Sequence, residues 1–198
     1  MKNLKKILLS LAVSAFATST SFAAVGNAKV VELGCHRLER LITLGKVDES
    51  FLKKLKTLDL VILSPAKPTD PSFQVTAAQY AGADGTTKKV EMMMDANGKA
   101  ITQVIKEGTE SDSTPEWGDK DAISLIEQSL HYVEEHTSEH IELRPFQVGL
   151  KSLTLMQVSN AQGIKVARIE MTSTATTQKL EVNLNENGSV EFTNIVNE

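Results

Sequence analysis

Residues 131–140, HYVEEHTSEH, hold three of the chain's four histidines among three glutamates. Imidazole with carboxylate is a donor set that suits zinc and related transition metals. His136 and His140 are four apart, so on a helix they share one edge and could clip an ion. His131 projects nearly the opposite way, at about 100° per residue. A structural zinc site takes four ligands and a catalytic one three plus water, so two imidazoles satisfy neither. HTSEH also lacks the glutamate position of the HExxH pattern. The stretch therefore reads as a hydrated helix end, where imidazoles can meet the last carbonyls. His136 and His140 remain weak candidate metal ligands, and the sequence calls for no metal or other cofactor.

Met92-Met93-Met94, with Met156 and Met171, offers thioethers, which suit Cu(I). On a strand only Met92 and Met94 point together, and methionine also fills irregular core space, which is the reading taken here. Cys35 stands beside His36, but neighbours on a helix diverge by about 100° and do not face each other. A c-type haem needs a second cysteine where Glu32 stands. Cys35 is the chain's one cysteine, an unpaired thiol that cannot form an intramolecular disulfide. There is no G-x-S-x-G, P-loop or G-x-G-x-x-G motif, and pairs such as Glu134-Glu135 lie on a polar helix face. No catalytic residue is assigned, and the chain is read as a non-enzyme.

Stepwise changes in pattern give the elements that would position these groups. Lys2, Lys5 and Lys6 precede an apolar stretch, Ile7 to Ala17, and Ser21-Phe22-Ala23 supplies small residues at a cleavage site. Residues 1–23 are thus predicted to be a signal peptide cut between Ala23 and Ala24, which makes the mature chain exported, periplasmic or secreted. No later stretch approaches the roughly 18 apolar residues of a membrane span. Losing three lysines leaves 18 basic against 25 acidic residues, a formal charge of −7 against −4 for the whole chain. Such a chain is a poor partner for nucleic acid, whose phosphates need lysine and arginine.

Ala28 to Leu44 reads as a helix, with Val31, Cys35, Leu38 and Ile42 on one stripe. Asp48 is a plausible cap for a short second helix with Phe51, Leu52, Leu55 and Leu58 as its apolar face. Leu60 to Leu63 is β-like, and strands follow at about 73–81, 87–94 and 99–106. Residues 107–118 read as a linker. A third helix, capped at Thr114 or Asp119, runs to about His136. Strands are then predicted at Ile141 to Leu143, Leu150 to Ser159, Ile164 to Ser173, Lys179 to Leu184 and Val190 to Val196.

Helix followed by antiparallel meander thus occurs twice, in 24–106 and 119–198. KKVEMMMDANGKAITQVI (88–105) also aligns with QKLEVNLNENGSVEFTNIV (178–196), Asn97-Gly98 meeting Asn187-Gly188. Asn-Gly is a preferred tight turn, so such hairpins can arise independently, but each here ends a helix-plus-sheet unit. The expected fold is α+β, two related helix-plus-antiparallel-sheet units.

DKDAISLIEQSL (119–130), followed by strands ending in LEVNLNENGSVEFTNIV, resembles a PepSY-type domain, with a cystatin-like layout of helix on antiparallel sheet. VEMMMDANGKAITQVI ends the first unit similarly, although that unit has a helix break at Gly45 and a proline-rich loop at Pro65, Pro68 and Pro71. The resemblance implies an exported module that binds or restrains another protein, often a peptidase, and carries over no functional residue. The favoured function is non-catalytic binding of an envelope protein or peptide. The alternatives are a small-ligand or metal carrier and an enzyme without a recognisable motif.

Overall fold

The computed structural model describes residues 26–108 and 121–197. The predicted signal peptide, positions 109–118 of the predicted linker, and the two caps proposed for the third helix, Thr114 and Asp119, lie outside the described residues.

Two helices, α1 (Asn27–Thr43) and the short α2 (Ser50–Lys53), precede four strands: β1 (Leu55–Ile62), β2 (Phe73–Gln79), β3 (Lys89–Met94) and β4 (Ala100–Lys106). The second half opens with α3 (Ala122–His136), a 3-10 turn at Ile141–Leu143 and α4 (Arg144–Val148). It continues through β5 (Leu150–Ser159), β6 (Lys165–Ser173), β7 (Gln178–Leu184) and β8 (Val190–Asn197). Asp121 caps α3, its side chain accepting from the Ser124 amide at 2.7 Å.

The strands do not form two helix-plus-sheet units, as expected from the sequence. They form one eight-stranded antiparallel sheet in the order β4-β3-β2-β1-β5-β6-β7-β8. The join is the antiparallel pair β1–β5, with Thr57 opposite Thr154, Leu58 opposite Leu153 and Asp59 opposite Ser152. In separate units β1 and β5 would each be an edge with unpaired N–H and C=O groups beside buried leucines. Pairing them satisfies both edges at once.

The expected second helix forms as α2 but ends at Lys53, short of Leu55 and Leu58, for a related reason. Leu55 and Leu58 belong to β1, where a register shift between Leu55 and Thr57 places residues three apart on the same face. Leu55, Leu58 and Leu60 are consequently all buried. The bulge imitates helical spacing. β5 repeats the device in Leu150, Leu153 and Leu155, with its shift between Leu150 and Ser152. LKTLDL (55–60) and LKSLTL (150–155) are thus the same bulged strand start, lying side by side. The strand expected at Ile141 to Leu143 is helical instead. Leu143 and Phe146 are buried one turn apart, and Pro145 fits a helix start.

The β3–β4 and β7–β8 hairpins share one turn chemistry. Asp95 accepts from the Asn97 and Lys99 amides, and Asn185 from the Asn187 and Ser189 amides. Gly98 and Gly188 both have φ of 77°, a region that only glycine enters without strain.

α1 and α3 cover one face of the sheet, and a single core runs from Val30, Leu38 and Met92 to Ile126, Ile169 and Val182. Asn27 Nδ2 donates to the Leu150 carbonyl at 2.9 Å, and Tyr80 Oη to the Leu155 carbonyl at 2.7 Å, so each ties the first half to β5. α1 approaches β2 through Gly34, where a Cβ would lie 2.8 Å from Val75 Cγ1. The opposite face is polar, with Thr57, Asp59, Thr76, Glu91, Thr154 and Glu170 half-buried along it. This is the alternation expected of an antiparallel sheet packed on one side.

Candidate functional site

β4 ends the sheet, and its sequence AITQVI (100–105) carries no charge. Ile101, Val104 and Ile105 are 45–46% exposed. Strand alternation puts Val104 opposite Glu91 on the polar face and Ile105 opposite Val90 on the helix side. The register shift in the β3–β4 pair lies at its first residues, between Met93 and Met94, and pairing is regular from there to Lys106. Arg37 of α1 reaches β4, donating through Nη2 to Gln103 Oε1 at 2.7 Å.

Beside the end of β4, the loop after α1 and the start of α2 leave a cavity of about 190 Å³. Val47, Phe51, Val90 and Ile105 give it an apolar floor. Its rim holds Lys46, Lys88, Lys89 and Lys106 against Asp48 and Glu107, a local excess of two positive charges on a chain of formal charge −4. Lys106 is ion-paired with Glu91. An apolar strand edge that runs into a basic-rimmed, apolar-floored cavity can accept main-chain hydrogen bonds and a side chain together.

A second, hydroxyl-rich cavity of about 450 Å³ lies at the β1–β5–β6 end, beside Asp59, Lys151, Ser152 and Thr172. Burial pushes the Asp59 carboxyl above its ordinary range, against the opposing effects of the Thr57 hydroxyl, Lys89 and Lys151.

The histidines of 131–140 are dispersed. His136 stacks on Tyr132 with ring centroids 4.1 Å apart, and its Nδ1 lies 2.9 Å from the Tyr132 carbonyl. His140 Nδ1 lies 3.2 Å from Glu142 Oε1. His131 faces α1, 4.0 Å from Glu32. Met92 and Met94 are fully buried. Cys35 is free and also fully buried, and desolvation raises its thiol pKa, with Glu127, Glu39 and Glu32 adding to the rise.

Sequence reasoning missed two groups. The β4 edge was legible as a strand, but its outer position depends on the sheet order. The other is His36, Glu39 and Glu127, whose ligand atoms all lie within 4.8 Å of one another. His36 and Glu39 have visible i, i+3 spacing, whereas Glu127 arrives from α3. Glu127 is pushed up by desolvation, an effect His36 opposes and Glu39 and Glu32 reinforce.

No protein-family profile and no curated protein matches the chain. A solved structure described as the C-terminal domain of YpeB from Bacillus megaterium is similar at 13% identity and a TM-score of 0.24. The match covers 84% of this chain and 66% of that one. No helix among the described residues is long and apolar enough to cross a membrane.

Proposed function

We propose that the mature chain is an exported, non-catalytic binding protein that holds an extended segment of another envelope protein along β4. The observation behind this is the edge itself: a seven-residue outer strand with three exposed aliphatic side chains and no charge between Ala100 and Ile105. Sheet edges in natural proteins are usually blunted by lysine, proline or a cover, because a bare apolar edge pairs with other chains. The other outer strand, β8, carries Glu191 and packs near α3.

A peptide added to β4 gains main-chain hydrogen bonds along the strand and can seat one side chain against Val47, Phe51 and Ile105. The lysines on the cavity rim favour an occupant with acidic residues beside its apolar anchor. Export rests on the pattern of residues 1–23, and the absence of a reaction rests on the lack of catalytic motifs. The mirrored strand order and the matching LKTLDL and LKSLTL segments support a duplicated ancestry for the two halves.

A photo-crosslinking residue placed at Val104, with Glu170 on the polar face of β6 as control, tests the reading in the native cell envelope. One protein should crosslink reproducibly through position 104 and not through 170, and Ile105→Lys should abolish the product. Equal capture from both positions, or crosslinks only between copies of this chain, would overturn it.

A further inference from the structure

A separate set of side chains sits where α1 and α3 run side by side over the sheet. His36 and Glu39 are one turn apart on α1, and Glu127 projects from α3. His36 Nδ1 is 3.4 Å from Glu127 Oε1 and 3.6 Å from Glu39 Oε2. These separations are long for a charge-assisted hydrogen bond. Glu127 Oε1 is also sealed from solvent and makes no hydrogen bond. A buried carboxylate oxygen left in this way needs a partner.

The two separations from His36 fit a different geometry, and the two carboxylates lie within 4.8 Å of each other. In a tetrahedral site with bonds of about 2.0–2.2 Å to nitrogen and oxygen, ligand atoms sit roughly 3.3–3.6 Å apart. The other ring nitrogen has its own support: His36 Nε2 lies 3.6 Å from Oε1 of Glu32. Glu32 is almost wholly buried and is held by Lys29 Nζ at 2.6 and 2.7 Å from its two oxygens. At 3.6 Å this is an electrostatic contact, but a carboxylate on that side favours the tautomer with its proton on Nε2 and so leaves Nδ1 free to bind an ion, the place a second layer takes behind a histidine metal ligand.

We propose that His36, Glu39 and Glu127 form a three-ligand site for a divalent transition metal, with a fourth position open to water or to an incoming ligand. The nitrogen and two carboxylates suit zinc or a neighbouring first-row ion. Calcium instead takes six to eight oxygen ligands, more than this cluster supplies. Cys35 is buried in the core and lies outside the ligand cluster, so no sulfur enters the site. The site is independent of the β4 edge, and either can fail without the other.

Zinc titration of chelator-stripped mature protein by calorimetry tests this, with thermal unfolding followed in parallel. One zinc should bind per chain and raise the unfolding temperature, while calcium and magnesium at the same concentration should not. His36→Ala and Glu127→Gln should each weaken zinc binding by roughly tenfold or more, and Glu32→Gln by about tenfold through loss of the second layer. His136→Ala and His140→Ala should leave it unchanged. Should His36→Ala not fold, Glu39→Gln takes its place. The proposal is overturned by the absence of saturable zinc binding. It is equally overturned by binding that survives His36→Ala and Glu127→Gln, or that is lost only with His136 or His140.

Discussion

Asp59 is half-buried on the helix-free face, and its carboxyl is held above the ordinary value of 3.8 mainly by desolvation. The folded chain therefore binds this proton more tightly than the unfolded chain does. The group's contribution to stability is fully present below pH 3.8 and declines as the pH rises from there through the folded-state value. Asp59→Asn, which keeps the shape and can still accept from Thr57, should make the protein more resistant to urea than the wild type at pH 7. The difference should vanish at pH 3. A variant less stable at pH 7 would show that Asp59 gains more from Lys89 and Lys151 than it loses by burial. Cys35 offers a second check at this scale: a neutral-pH alkylating reagent should leave it unmodified in the native protein and label it fully in denaturant. Rapid native labelling would contradict its burial. The apolar stripe of α1 made the position of Cys35 legible in the sequence, because helical periodicity is local. The raised carboxyl of Asp59 was not legible, because its desolvation comes from neighbouring strands.

The fit of α1 to the sheet turns on Gly34. Alanine there would gain up to about 1 kcal/mol in helix propensity. Its Cβ would meet three Val75 atoms within 3.3 Å, and overpacking of this kind costs about 1–3 kcal/mol. Gly34→Ala should therefore lower the urea midpoint, and Val75→Ala in the same chain should recover part of the spacing. Equal midpoints for the wild type and Gly34→Ala would mean that α1 shifts freely. Most strand limits were legible from alternation and from turns such as Asp95 to Gly98. β1 was misread where the bulge gave Leu55 and Leu58 a helical interval, and the turn at Ile141–Leu143 was misread because three residues cannot separate strand from helix by period.

Across the whole molecule, Leu58 and Leu153 face each other at the centre of the sheet, both fully buried. Leu153→Ala should cost about 2–5 kcal/mol, and both β1 and β5 should loosen, since they share the cavity it leaves. This pairing was hidden from sequence reasoning because a strand run does not state its neighbour, and two similar halves read equally well as two separate sheets. Joining them leaves β4 and β8 as the outer strands and β4 as the apolar edge. Amide hydrogen exchange resolved by residue tests this arrangement most directly. The Leu58 and Leu153 region amides should exchange together, at the free energy of global unfolding, while the outward amides of β4 exchange far faster. Exchange of β1 as a frayed outer strand, at an opening free energy distinct from that of β5, would contradict a single sheet and with it the assignment of β4 as the edge left for a partner.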